Sequence, residues 1–405
     1  MKEFKTAFWV RLSLINLLLV ALMGILMRYK IGFEFPLFNQ KNIQHAHSHF
    51  AFTGWISQTL MVLMVHYLQQ YATQLKVSKY VFLLRAHVLC SYGMLTGFFL
   101  QGYGVISITF SFLHLILNAW FAISYFKSLK QVKQHPAKKW FNTALVFNLL
   151  SSLGTLALMY MMVSKHIPQH QYLASVYFYL HFQYNGWFFF AVMGLFTAQV
   201  SALNFALPQE KKVFLLFSIS CLPAYFLSVL WAHLPVWLYP FIVAASVAQL
   251  IAWLLVIRAM YDNSNKVKTQ LSLLSRYLFL FVGTALTIKF MLQAGSTFPA
   301  MSKMAFGFRP IVMAYLHLVL LAILTMFLIG YVYTFNYIKK NILTTTAIIS
   351  ISAGVFLNEL ILGIQGIAGI SYVMIPYVNE LLFYIAVLIG ASILLLLASQ
   401  WRKVS

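Results

Sequence analysis

Acidic residues are nearly missing from this chain: its 405 residues include six Asp and Glu, and charged residues of both signs make up only 8%. Soluble domains run at about 25% charged residues, so a water-exposed globule is excluded. Cysteine is limited to Cys90 and Cys221, both inside apolar runs, which rules out a disulfide framework and leaves them as packing residues. No polar stretch is long enough for a separate soluble domain, and no low-complexity linker interrupts the sequence. What is abundant is apolar: 62% hydrophobic and 17% aromatic, with a mean hydropathy of +0.83.

Apolar runs long enough to cross a bilayer recur from end to end. They fall at 8–28, 45–70, 80–101, 104–127, 141–163, 171–200, 211–232, 235–258, 271–293, 307–335, 342–367 and 375–400. The pattern predicts an all-α, polytopic membrane protein of about twelve transmembrane helices, with a single transmembrane domain over 1–405. The first run, within MKEFKTAFWVRLSL and beyond, reads as a retained span because no small-residue cleavage site follows it.

A net charge of +22 invites a nucleic-acid reading, but its distribution argues against one. Lys127, Lys130, Lys133, Lys138 and Lys139 share the loop after the fourth run, and most other cations fall on the same side if the N-terminus is inside. The exceptions are Arg28, Lys30, Lys41, Lys165, Lys289, Lys303 and Arg309. This is the positive-inside pattern, which predicts a multi-pass protein of the cell (inner) membrane with both termini cytoplasmic. The expected partner is the lipid bilayer, and nucleic acid is not one.

Twelve histidines are unevenly placed on that topology. His45, His47 and His49 stand at the entrance of the second run, in HAHSHFAFTGW; His181, His233 and His317 lie at a comparable outer depth further on. His114 is also in an outer half, His166 and His170 are in an outer loop, and His66, His87 and His135 fall on the cytoplasmic side. Ionisable groups inside spans are costly, so they are functional candidates by default. On a helix His45 and His49 share a face while His47 points elsewhere, so all three cannot serve one metal. His114 reads as a hydrogen-bonded packing residue, and His166 and His170 as loop residues. Lys289, Glu359 and Glu380 also lie within spans, either as a structural Lys–Glu pair or as a wet or proton-relaying interior.

These addresses resemble the catalytic subunit of haem–copper oxidases and nitric oxide reductases. That family has twelve spans, both termini inside, and histidines on helices 2, 6, 7 and 10 near the outer face. The resemblance implies a subunit I-like bundle in which His317 and one of His45, His47 and His49 hold a low-spin haem. HFQYNGWFF at His181 looks like the helix 6 segment that carries a copper or non-haem iron ligand, and WAH at His233 resembles the turn after helix 7. Arg309 would meet a haem propionate through its guanidinium, or simply snorkel.

The departures fall where catalysis would occur. Leu234 stands for the second helix 7 histidine, Tyr315 for the helix 10 histidine of a high-spin haem, and Asn185 for the acid after the helix 6 histidine. His181 and His233 would then be a two-histidine remnant of a degenerate binuclear site, with Tyr315 an alternative haem ligand because tyrosine ligates iron in catalases. The resemblance implies electron transfer or nitric oxide and oxygen chemistry, with an electron-donor protein or other membrane subunits as partners. The missing ligands favour a non-catalytic haem protein over a reductase. A second likeness is to the NnrS family, haem- and copper-containing proteins of the nitric oxide response whose His-x-His-Glu-Met segment is similar to HAHSH. A transporter using its histidines for protons or metal ions is the remaining class; it calls for matched Pro- or Gly-broken helices, and no convincing pair is present.

Overall fold

Proline punctuates the chain. Each described proline lies between helices or in the first turn of one, as at Pro136, Pro168, Pro240 and Pro310, where its missing N–H has no helical partner to lose. Long apolar helices fill the intervals. The structure, a computed structural model, describes residues 4–33, 35–205, 207–232, 234–298, 301 and 308–401. In order, the helices are α1 Thr6–Gly32, α2 Gln40–Phe50, α3 Gln58–Tyr71, α4 Val77–Gln101, α5 Val105–Leu129, α6 Ala137–Val163, α7 Gln169–His181 and α8 Phe189–Ala202. They continue as α9 Glu210–Cys221, α10 Tyr239–Asp262, α11 Ser264–Gln270, α12 Leu273–Gly295, α13 Arg309–His317, α14 Met326–Thr334, α15 Ile342–Ile370 and α16 Val378–Ser399. Among the described residues, β structure is limited to an isolated bridge between Ala72 and Val132.

Among the described residues, nine helical runs are long and apolar enough to cross a membrane. A tenth joins them if α9 and the 3₁₀ turn Pro223–Val229, bent by 44°, form one span. Pro223 explains the bend, since its ring clashes with the preceding turn and removes a donor. The chain is thus an all-helical, multi-pass membrane protein.

Three long helices are not α-helical throughout. Ala51–Ser57 between α2 and α3, Phe182–Phe188 between α7 and α8, and Leu318–Thr325 between α13 and α14 are π-helical. Each is a wide turn inside a continuous helix.

Packing divides the chain into two compact units. One comprises Met1–Lys133, Thr325–Ala368 and Tyr372–Ser405; the other comprises Gln134–Leu324 and Gly369–Ser371. In the first, α1 packs along α16, α4 along α5, and α2 along α4. In the second, α6 packs on α7 and α8, and α10 on α9 and α12.

Candidate functional site

Each π-helical turn begins at or just after a histidine that the sequence singles out. His49 lies two residues before Ala51–Ser57, while His181 and His317 are the last α-helical residues before their turns. The first two segments are also alike in sequence: HFAFTGWI at 49–56 and HFQYNGWF at 181–188 share His, Phe, Gly and Trp at equal spacing. π turns inside α-helices are rare and concentrate at functional sites.

The shared residues have local reasons. A Cβ on Gly54 would lie 2.5 Å from the Phe50 ring, and one on Gly186 would lie 2.6 Å from Phe147 Cβ. Trp55 and Trp187 are buried. The wide turn disturbs the ordinary carbonyl ladder, and side chains take up several of its oxygens. Asn16 Nδ2 donates to Gly54 O at 2.6 Å, Thr53 Oγ1 to His49 O at 2.8 Å, and Thr59 Oγ1 to Trp55 O at 2.6 Å. Trp55 Nε1 donates to Thr325 Oγ1 at 2.9 Å.

The three helix 2 histidines split as their spacing predicts. His45 and His49 face α4 and its following turn: His49 stacks on Phe98 at 4.2 Å between centroids, its Nε2 is 3.4 Å from the Tyr103 hydroxyl, and His45 meets Tyr103 edge-on at 4.6 Å. His47 faces α1, where Nδ1 donates to Val20 O at 3.0 Å and Gly24 leaves room for the ring. His317 makes the analogous bond, Nδ1 to Met313 O at 2.8 Å. A carbonyl accepts only, so both rings carry their proton on Nδ1 and their lone pair on Nε2. That is the tautomer and outer-sphere bond of metal-ligating histidines, so the donor chemistry fits an axial imidazole at both positions. His47 belongs to the first unit and His317 to the second.

His181 is held differently. Its Nε2 donates to Cys221 O at 2.9 Å, and its Nδ1 accepts from Asn185 Nδ2 at 3.2 Å, so both ring nitrogens have protein partners. Asn185, where the resemblance has an acid, is therefore a donor to the imidazole. His233, its expected companion, lies outside the described residues. Tyr315 is half-buried with its ring edge-on to Tyr184 at 6.3 Å, and Arg309 is exposed at the first residue of α13. Leu234 packs against the apolar cluster of Ala224, Leu227, Ile242 and Ala245.

Lys289 is buried with its ammonium 4.2 Å from the Phe290 ring centroid, a cation–π contact rather than the Lys–Glu pair that is one of its two readings from sequence. Glu359 instead accepts from Asn358 Nδ2 at 3.1 Å, and Glu380 sits in the first turn of α16. Among the described residues, no group of three or more His, Cys, Asp and Glu side chains is placed to hold a metal ion.

One constellation was missed by sequence reasoning. His114, read as a packing residue, is 2.8 Å from His87, Nε2 to Nε2, although residue counting puts His87 in the cytoplasmic half and His114 in the outer half. Both residues lie within three positions of the midpoints of α4 and α5, where the two halves meet. His87 Nδ1 bonds Gln58 Oε1 at 2.8 Å, and Asn118 Nδ2 bonds His114 Nδ1 at 3.3 Å. The signal available in sequence was the His114–Asn118 pair, four residues apart on one face of an apolar helix.

Compared with known proteins, the chain matches no family model and no curated sequence.

Proposed function

We propose that this chain is an integral-membrane haem protein of the haem–copper oxidase type, in which His47 and His317 are the imidazoles that would ligate haem iron. The observation that carries this reading is the Nδ1–H to backbone carbonyl bond at both residues, which puts the lone pair of each ring on Nε2, the atom that would ligate. The haem would supply reversible one-electron transfer. The chain's own part is to fix two imidazole tautomers, through Val20 O and Met313 O, and to surround them with apolar helices. Two composite helices, Gln40–Tyr71 and Gln169–Ala202, added to the ten apolar runs make the proposed count twelve, with both termini cytoplasmic in the cell membrane.

Electron transfer or nitric oxide handling is favoured over oxygen reduction, because Leu234 is committed to apolar packing and both nitrogens of His181 are engaged. An electron-donor protein or a further membrane subunit is the expected partner.

The test is the reduced-minus-oxidised absorption spectrum of the purified chain, with metal analysis. A low-spin haem signal is expected in the native protein and in His45→Ala, and it should be lost in both His47→Ala and His317→Ala. A signal that survives both of the latter substitutions overturns the ligand assignment.

A further inference from the structure

The His87–His114 contact obeys a single polarity from end to end. Gln58 Oε1 accepts, so His87 Nδ1 carries a proton and His87 Nε2 a lone pair. His114 Nε2 must then donate to His87, which leaves a lone pair on His114 Nδ1 facing the Asn118 amide N–H. Four side chains from α3, α4 and α5 are thus joined by three hydrogen bonds, all buried. The far atoms of the two terminal amides, Gln58 Nε2 and Asn118 Oδ1, are buried and meet no hydrogen-bond partner among the described residues. An amide turned about its last torsion exchanges donor for acceptor, so each end can present either one.

We propose that His87 and His114 are a buried proton relay that carries one proton at a time between the Asn118 and Gln58 ends. A hydronium ion at the Asn118 end gives its proton to His114 Nδ1 and leaves as water. Asn118 turns so that Oδ1 accepts the new N–H, and the pair holds three ring protons and a single positive charge. Transfer of the Nδ1 proton of His87 to a water molecule at the Gln58 end and a shift of the shared proton from His114 Nε2 to His87 Nε2 return it to neutrality. Gln58 then turns its Nε2 toward His87. One proton has entered and one has left, no bond order has changed in either ring beyond tautomerisation, and the chain now runs in the opposite polarity. A hydrogen-bonded pair with amide oxygens at both ends lowers the penalty for a charge away from water, whereas an isolated imidazole would bear all of it.

The titratable surroundings suit a single charge. From α2, His49 lies within reach of the His114 charge, and His45 neighbours it. On α4, Arg85 is exposed, Tyr92 donates to Asn16, Tyr80 donates to Ser124 O and Ser128, and Cys90 is a buried thiol one turn from His87. On α5, Tyr125 donates to Met64 O of α3. No carboxylate in these helices is available to neutralise a second proton. The relay does not depend on haem, since His47 faces α1.

The full chain labelled with ¹⁵N-histidine in liposomes tests this by solid-state NMR across a pH series. A nitrogen–nitrogen coupling across the hydrogen bond, lost in His114→Phe, and uptake of one proton by the pair are expected. Asn118→Asp should raise the midpoint of that uptake and Asn118→Leu should lower it, each by about one pH unit, because a carboxylate favours the charged pair and an alkyl group cannot accept its N–H. Absence of the coupling, two independent titrations, or a shift of both Asn118 variants in the same direction would overturn the relay.

Discussion

At the scale of single residues, the histidines differ less in depth than in what fixes their rings. His47 and His317 give a proton to a carbonyl, His181 is engaged at both nitrogens, and His87 shares a proton with His114. None of this follows from residue type, because the partners are backbone oxygens, an amide and a second imidazole, some one turn away and some on another helix. The glycines are more predictable. A methyl at Gly186 would stand 2.6 Å from Phe147 Cβ, an atom tied to the α6 backbone that cannot rotate away. Gly186→Ala is therefore expected to cost about 1–3 kcal/mol, the range for overpacking a filled interior. Gly283→Ala, where nothing lies within 4 Å of the added carbon, should be near neutral or slightly stabilising. Unfolding of the two variants in mixed micelles checks the difference, and equal stability would mean that α6 and the Phe182–Phe188 turn separate at no cost.

At the scale of the element, the helices were legible and their interruptions were not. Long apolar runs ended by proline or by Lys-rich loops specify where α1, α4, α5 and α6 lie, because only internally hydrogen-bonded backbone is tolerated in lipid. A π turn leaves no such mark, since Ala51–Ser57 has an ordinary membrane composition and its extra width is settled by Asn16, Thr53 and Thr59 meeting its carbonyls. The likeness of HFAFTGWI to HFQYNGWF was present in the sequence, but four shared residues in eight carry weight only once both segments are seen to adopt the same backbone. The turn also has a positional consequence. Removing one residue from it, for example Ala51, would let α-helix run through and rotate α2 by about 100° relative to α3. His47 would then leave Val20 O. The deletion variant is expected to reach the membrane and to lose the low-spin haem signal; retention of the native spectrum would show that the turn does not set the histidine's direction.

At the scale of the whole molecule, composition alone established a multi-pass membrane protein, while the chemistry depends on which histidines have companions. Reduction of oxygen requires a gas-binding metal with further electrons and protons delivered beside it, and the resemblance places that metal among His181, His233, Leu234 and Tyr315. Leu234 has no atom that coordinates and is packed among alkyl groups. Tyr315 is turned edge-on to Tyr184, and the imidazole of His181 has given its two nitrogens to Cys221 and Asn185. Two of four positions thus lack an imidazole, and a third would have to give up its hydrogen bond from Asn185, at about 1 kcal/mol net, before its Nδ1 lone pair could bind a metal. Electron entry through the proposed haem makes no demand on any of these residues. The purified chain, supplied with an artificial electron donor, is therefore expected to accept electrons and to bind nitric oxide while consuming oxygen weakly or not at all. Rapid, cyanide-sensitive oxygen uptake would place a working binuclear centre in the chain and shift the helix 10 ligand away from the position that Tyr315 occupies.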